Sequence, residues 1–214
     1  SWMWKRHAGF DVVCDVGTQV AKDIPHSLNA VPEMMIRKNR TNANSWVVYH
    51  KDLPVSSGGD LGFMYLNSTS AADTTSLFWT KAPTSTYFSV GTDIDINQNN
   101  KNIITMLFAS VNNSDGDPIS KVGSYTGNGS TGQTITLGFQ PRFVIIRKYN
   151  DAAHWLVLDT TRGWGSGDDK YLLLNSNGAQ GNYEVGAPVS NGFTLVGDND
   201  YNNSSGTYIY YAHA

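Results

Sequence analysis

Short apolar runs separated by polar turn residues recur along the whole chain. Residues 143–146 read Phe-Val-Ile-Ile, and residues 154–159 read His-Trp-Leu-Val-Leu-Asp. Runs of this length, rich in β-branched and aromatic residues, are typical of strands, because helices extend over longer periodic stretches. No segment shows the sustained period of about 3.6 residues that marks an amphipathic helix. The pattern therefore predicts an all-β chain.

The clearest predicted strands lie in the second half of the chain. They are residues 121–126, 133–137, 142–148, 154–159, 171–174, 193–196 and 207–211. The first two flank Gly127-Asn128-Gly129, a turn signal, and are expected to pair as a hairpin. This number of strands in about 100 residues favours a β-sandwich, either jelly-roll-like or of immunoglobulin size.

Comparison of the chain with itself shows three collinear pairs of similar segments. They are residues 31–50 with 140–159, 65–68 with 173–176, and 88–109 with 193–214. In the first pair, a proline precedes Trp46 and another precedes Trp155 by the same 14 residues. The two tryptophans are therefore expected at equivalent core positions. This self-similarity predicts two tandem repeats of one β-sandwich module.

The repeat sets the predicted domain boundaries. Module 1 is placed at residues 8–110 and module 2 at residues 118–214, joined by the polar, turn-forming segment 112–117. Residues 1–7 are expected to be a linker or the end of a preceding repeat, because Trp2-Met3-Trp4-Lys5 resembles the closing strands of both modules. The sequence is accordingly expected to be part of a longer chain.

Composition narrows the classes of partner. Charged residues make up 15% of the chain and the net charge is −3. Without a basic excess to neutralise phosphates, nucleic-acid binding is not expected. No apolar stretch reaches the roughly 20 residues of a membrane span, so membrane insertion is not expected.

Four segments of module 2 resemble a known family. They are GSYTGNGSTGQTITLGFQPRFVIIRK (123–148), HWLVLDTTRG (154–163), YLLLNSN (171–177) and SNGFTLVGDNDYNNSSGTYIYYAHA (190–214). Together they resemble an all-β module that is common in virion proteins of tailed phages of marine bacteria. Module 1 fits the pattern less closely, because Lys51-Asp52-Leu53 stands where module 2 has Thr161-Arg162-Gly163.

The resemblance implies a non-catalytic tail-fibre or virion structural protein, of a kind often found beside lectin-like domains. It covers nearly all of residues 8–214 and carries over no functional residue. It implies other virion proteins as partners, a homo-oligomeric assembly, and a location in the virion after assembly in the host cytoplasm.

A metal site is the first candidate for chemistry. The motif D-x-D-x-N occurs twice, at Asp93, Asp95 and Asn97 and at Asp198, Asp200 and Asn202. Alternate oxygen ligands suit a hard cation, so Ca²⁺ is a candidate cofactor. The pattern departs from an EF-hand, which places a glycine next and a glutamate at its last position. The alternative is an Asx-rich connection in which these side chains bond their own backbone.

A saccharide site is the second candidate. Lectin-type sites combine an aromatic face with Asp and Asn side chains that bond hydroxyl groups. Two tryptophans without an equivalent in the other repeat are candidates for an exposed aromatic platform, with one-off loop packing as the alternative. The candidate ligand-binding residues are Trp79, Trp164, Asp168, Asp169, Tyr183 and Tyr201.

Catalytic motifs are not evident in the sequence. The five histidines show no zinc-binding spacing, no serine lies in a nucleophile elbow, and no carboxylate pair stands out for glycoside hydrolysis. We therefore expect a non-catalytic tail- or head-fibre module that recognises a host-surface glycan. The main alternative is an architectural capsid-decoration or spacer domain that binds only other virion proteins. A polysaccharide depolymerase fragment is a third alternative.

Overall fold

The computed structural model describes residues 9–214, which lie in two compact units. Unit 1 consists of the residues up to 66 together with 72–109, and unit 2 consists of residues 67–71 and 110–214. Residues 67–71 thus belong to unit 2 although they interrupt unit 1 in the sequence. The interpretation of residues 1–7, with Trp2-Met3-Trp4-Lys5, lies outside the described residues.

The prediction of an all-β fold is confirmed. The elements of unit 1 are β1 (Phe10–Val16), β2 (Lys22–Pro25), β3 (Met34–Asn39), β4 (Trp46–His50), β5 (Gly62–Tyr65), β6 (Asp73–Thr74), β7 (Tyr87–Val90), α1 (Ile94–Asn97) and β8 (Asn102–Phe108). Those of unit 2 are β9 (Val111–Asn112), β10 (Pro118–Thr126), β11 (Gln133–Thr136), β12 (Phe143–Lys148), β13 (Leu156–Asp159), β14 (Asp169–Leu173), β15 (Gly181–Tyr183), β16 (Pro188–Val189), β17 (Gly192–Leu195) and β18 (Thr207–His213).

Each unit has one large antiparallel sheet and one small sheet in the described residues. The large sheets have the orders β1-β8-β3-β4-β5-β6 and β15-β14-β13-β12-β18-β10-β9. The small sheets are β2-β7 and β11-β17-β16. In both units the early strand, β1 or β10, pairs with the last strand, β8 or β18, which then pairs with β3 or β12. The tandem repeat itself stays an interpretation of the sequence.

The predicted hairpin of β10 and β11 is wrong. Strand β10 pairs with β18 and β9, whereas β11 pairs with β17 in the small sheet. The glycine-rich turn carries the chain from one sheet to the other, and the amide of Gly129 donates to the carbonyl of Asn202 instead of closing a two-stranded turn. Ile135 of β11 thereby lies opposite Phe193 and enters the core.

The core of unit 2 lies between its two sheets. Val144 and Ile146 of β12 are two residues apart, so their side chains share one face of the large sheet. They belong to one buried cluster with Ile135 and Phe193 of the small sheet. Two sheets that enclose a common apolar layer form a β-sandwich.

The interior of unit 1 differs by a buried ion pair. The strand registers place Asp15 where unit 2 has Tyr125, and Arg37 where unit 2 has Ile146. Arg37 is fully buried, and its Nη1 and Nη2 donate to the two carboxylate oxygens of Asp15 at 2.8 and 3.0 Å. Its guanidinium also lies 5.7 Å from the ring centroid of Phe88. At these two positions unit 1 therefore has a charged pair, Asp15 and Arg37, where unit 2 has the aromatic Tyr125 and the aliphatic Ile146.

Helix α1 has no counterpart in the sequence prediction, because four residues are too few to show a period. Asp93 caps it by accepting from the amide of Asp95 at 2.7 Å. Within residues 9–214, no helix has the length and apolar character needed to cross a bilayer.

Candidate functional site

A surface concavity of unit 2, here called the first groove, combines aromatic and polar side chains. Its volume is about 550 Å³, within the range of roughly 300–1,000 Å³ that is usual for small-molecule sites. The apolar lining consists of Tyr171, Leu173, Tyr183 and Tyr201, and the polar lining consists of His154, Asn182, Asn199 and Asp200.

The floor of the first groove rests on the core of unit 2. Tyr171 and Leu173 lie two residues apart on β14 and pack against the buried cluster, to which Tyr201 itself belongs. Gly181 of β15 pairs with Tyr171 of β14, and any side chain at position 181 would clash with the Tyr171 ring. Glycine at this position therefore leaves room for the ring. Tyr183, two residues further along β15, is 50% exposed and lines the groove.

The loop between β17 and β18 presents the third tyrosine. Asn199 stabilises this loop by accepting from the amide of Tyr201 at 2.8 Å and donating to the carbonyl of Val196 at 2.7 Å. The hydroxyl of Tyr125 donates to the carbonyl of Tyr201 at 2.6 Å. Burial, together with the neighbouring Asp200 charge, raises the pKa of Tyr201 far above its usual value. Its hydroxyl is therefore neutral at physiological pH.

Two polar side chains that do not line the first groove form hydrogen bonds with its polar residues. Asp168 accepts from the side-chain amide of Asn182 at 3.0 Å. The side-chain amide of Asn175 lies beside Nδ1 of His154, with Nδ2 at 3.1 Å and Oδ1 at 3.4 Å. The Oδ1 atom of Asn175 also accepts from the amide of Trp155 at 3.0 Å.

Asp200 differs from its counterpart in unit 1. The gap-free correspondence of residues 88–109 with 193–214 aligns Asp95 with Asp200. The Asp95 carboxylate accepts from the side chain of Asn44 at 3.1 Å and from the amide of Ser45 at 3.4 Å. Asp200 has no such donor in the part of the chain that the structure describes, and it lines the first groove. Its oxygens are thus available to a ligand.

A second groove adjoins the first. It has a volume of about 370 Å³ and is lined by Thr69, Lys148, Asp151, Ala152, Ala153, His154 and Asp200. Two of these residues, His154 and Asp200, line both grooves. Lys148 approaches Asp151 at 3.4 Å. The amide of Ala152 and, after it, Lys148 lower the pKa of Asp151, so this carboxylate is ionised.

The expectation that two tryptophans form an exposed platform is wrong. Trp79 is 1% exposed and packs edge-on against Tyr49, and Trp164 is 3% exposed. Trp164 packs against Phe193, and its indole N–H donates to the carbonyl of Gly186 at 2.7 Å. Polar flanking residues concealed this role, because the core contacts of both tryptophans come from distant strands.

The other predicted ligand residues divide into structural and accessible groups. Asp169 is fully buried and accepts from the amides of Gly165, Val185 and Gly186. It therefore stabilises the two loop segments around residues 165 and 185–186. Asp168 is exposed and does not line the groove, but its carboxylate accepts from the side chain of Asn182. Tyr183 and Tyr201 do line the groove, although Tyr201 is mostly buried.

Apart from Asp200, the Asp and Asn residues of the two D-x-D-x-N motifs use their side-chain oxygens within the protein. Asn97 and Asn202 are fully buried: the first accepts from the amide of Thr18 and the second from the amide of Asn128. Asp93 caps α1, and Asp198 accepts from the side chain of Asn203 at 3.0 Å. Within residues 9–214 no three His, Cys, Asp or Glu side chains cluster to hold a metal. Asp93 follows the Asx-rich alternative, because it accepts from the nearby amide of Asp95, whereas Asn97 and Asn202 accept from the backbone of distant segments.

Several groove residues carry no functional signal in the sequence. The sequence predicts only strands for Tyr171, Leu173 and His154, and it gives no signal at Asn182 or Asn199. Alternation on β14 could have put Tyr171 and Leu173 on one face. The approach of the residue 196–206 loop to that face depends on contacts between distant segments, which a single sequence does not display.

Comparisons with known proteins add a family but no activity. One family model, described as a domain of unknown function, matches residues 4–214 and so spans both units. Comparison with curated proteins finds no match. Comparison with solved structures finds none either.

Proposed function

The chain belongs to the DUF7483 family, and from the geometry of unit 2 we propose that it is a non-catalytic glycan-binding module of a phage virion. The first groove carries this proposal. Tyrosine rings offer faces for the apolar side of a pyranose, and amide and carboxylate groups beside them bond its hydroxyls. Tyr183 supplies the exposed ring, and Asn182 and Asp200 supply the polar partners.

The rigidity of the groove supports a binding role. Tyr171 and Tyr201 pack in or against the core, and Asn182 and His154 contact the side chains of Asp168 and Asn175. A preformed site loses little conformational entropy when a ligand binds, which favours affinity for flexible saccharides.

The proposal of a module without catalytic activity rests on the sequence, in which no carboxylate pair stands out for glycoside hydrolysis.

The virion assignment rests on the sequence resemblance of residues 123–214 to phage virion modules. In that setting the partners are other virion proteins and a host-surface glycan, and the protein is assembled in the host cytoplasm. Several copies in a homo-oligomer would sum weak single sites into useful avidity.

We expect the Tyr183→Ala variant to bind host-surface polysaccharide roughly tenfold more weakly, because it loses a stacking face. Calorimetry on the 214-residue chain, with glycan-array screening to identify a ligand, measures this loss. Leu77→Ala is the matched control, since Leu77 is also 50% exposed but lies in unit 1. Absence of saccharide binding by the folded, oligomeric chain would favour the architectural role instead.

A further inference from the structure

Building on the proposed function, we infer that the two grooves are adjoining subsites of one cleft that binds a non-acidic oligosaccharide of at least two sugar residues. Continuity is the first argument. His154 and Asp200 line both grooves, so these two side chains lie at the junction and contact both spaces. A ligand that fills only the first groove leaves the sides of His154 and Asp200 that face the second groove exposed to water.

The two subsites differ in chemistry. The first groove offers three tyrosines, whereas the lining of the second groove contains no Phe, Tyr or Trp. Beside the junction, the second groove is lined by Thr69, Lys148, Asp151 and two alanines. One sugar ring stacks in the first subsite. The next residue of the same chain presents its hydroxyls to hydrogen-bonding groups in the second. This order fits a linear saccharide better than a single terminal sugar.

The second subsite is preformed because a remote segment builds one of its walls. Within unit 2, the carbonyl of Thr69 accepts from the amide of Ala153 at 3.0 Å. The carbonyl of Ser70 accepts from Nη2 of Arg147 at 2.6 Å, and the Arg147 guanidinium lies over the ring of Trp155. Because the carbonyls of Thr69 and Ser70 are both hydrogen-bonded, the segment that contributes Thr69 to the second groove has a fixed position, which suits a ligand of defined shape.

Charge at the junction selects against acidic sugars. Lys148 lies 3.4 Å from Asp151, so the opposite charges of these two side chains largely offset each other. Asp200 then remains as a carboxylate without a donor among residues 9–214. A sugar carboxylate or sulfate placed beside it would meet like charge, whereas hydroxyl groups donate to it.

The test compares saccharide length with a variant that blocks the second subsite. Calorimetry is run on the whole chain with gluco-, manno- and N-acetylchito-oligosaccharides, each from monosaccharide to longer chains, and with oligogalacturonate as the acidic series. Ala152→Trp fills the second groove with an indole, and Ala21→Trp is the control at an exposed alanine of unit 1.

We expect the affinity of the wild-type chain for one neutral series to rise about tenfold beyond the monosaccharide, as two or more added hydrogen bonds would give. Ala152→Trp should bind the monosaccharide as the wild type does but lose that gain, and Ala21→Trp should keep it. Length-independent affinity that Tyr183→Ala still weakens would overturn the two-subsite inference and leave the proposed function standing. If oligogalacturonate binds as tightly as the neutral oligosaccharides, or more tightly, the inference that the ligand is non-acidic is overturned. If no saccharide binds, the proposed function fails as well.

Discussion

The Asp15→Ala variant is expected to lose about 3–5 kcal/mol of unfolding free energy, because it leaves the Arg37 charge buried without its partner. Arg37 is fully buried and makes a bidentate contact with Asp15. Its Nε also donates to the carbonyl of Ile96 at 2.7 Å, so the guanidinium is fixed in position and cannot turn towards water. Urea unfolding followed by tryptophan fluorescence measures the loss.

Two further variants separate charge burial from other effects. Lys22 also contacts Asp15, at 2.9 Å, but is partly exposed, so Lys22→Met should cost less than about 1 kcal/mol. The double variant Asp15→Leu with Arg37→Met should recover most of the lost stability, since apolar replacement of a buried pair is often neutral. Unit 2 has Tyr125 and Ile146 at the corresponding positions. A single Asp15→Ala variant as stable as the wild type would contradict this account.

The same pair makes stability depend on pH. Burial alone would raise the pKa of Asp15, but the hydrogen bonds and charges of Arg37 and Lys22 outweigh it and lower the pKa. The stabilisation is therefore complete above the unfolded value of about 3.9 and is lost as the pH falls through the lower, folded pKa. The double variant should lack this acid-dependent component.

The Trp164→Ala variant is expected to lose about 3–5 kcal/mol of unfolding free energy, as large-to-small core substitutions do. The indole belongs to the buried cluster of unit 2, and its ring centroid lies 6.1 Å from that of Phe193. Chemical denaturation of the whole chain is the measurement. Trp164 lines neither groove, so the folded fraction should keep its affinity for saccharide.

Trp164→Phe is the control for this substitution. It retains an aromatic ring but leaves the carbonyl of Gly186 without the indole donor, at an expected cost of about 1–3 kcal/mol. If Trp164→Ala instead unfolds like the wild type but binds saccharide more weakly, Trp164 is a ligand contact, as its polar sequence neighbours suggested.

The two D-x-D-x-N motifs explain why similar sequence need not carry the same function. In both motifs the Asn is fully buried and bonds the backbone of a distant loop. The central Asp differs: Asp95 is bonded by Asn44 and Ser45, whereas Asp200 lines both grooves. We infer that the shared Asn maintains the fold and that the central Asp in unit 2 has become available for a ligand.

The sequence by itself determined the all-β class and the positions of the main strands. Alternation and β-branched runs such as residues 143–146 are local signals, and the turn residues between them act over a few positions. Strands β12, β13, β17 and β18 therefore appear close to their predicted places. Self-similarity also predicted that Asn97 and Asn202 occupy corresponding positions.

Tertiary structure alone decided the pairing of β10 and β11 with different sheets, the burial of Trp79 and Trp164, and the gathering of the grooves. Each depends on contacts between residues far apart in the chain, such as Trp164 with Gly186 or Thr69 with Ala153. A polar neighbourhood in sequence does not report which distant strand covers a side chain. The free energy gained by burying a side chain depends on how much of its apolar surface those distant strands remove from water. The exposure of each side chain and the geometry of the grooves are therefore decided only when the sheets pack together.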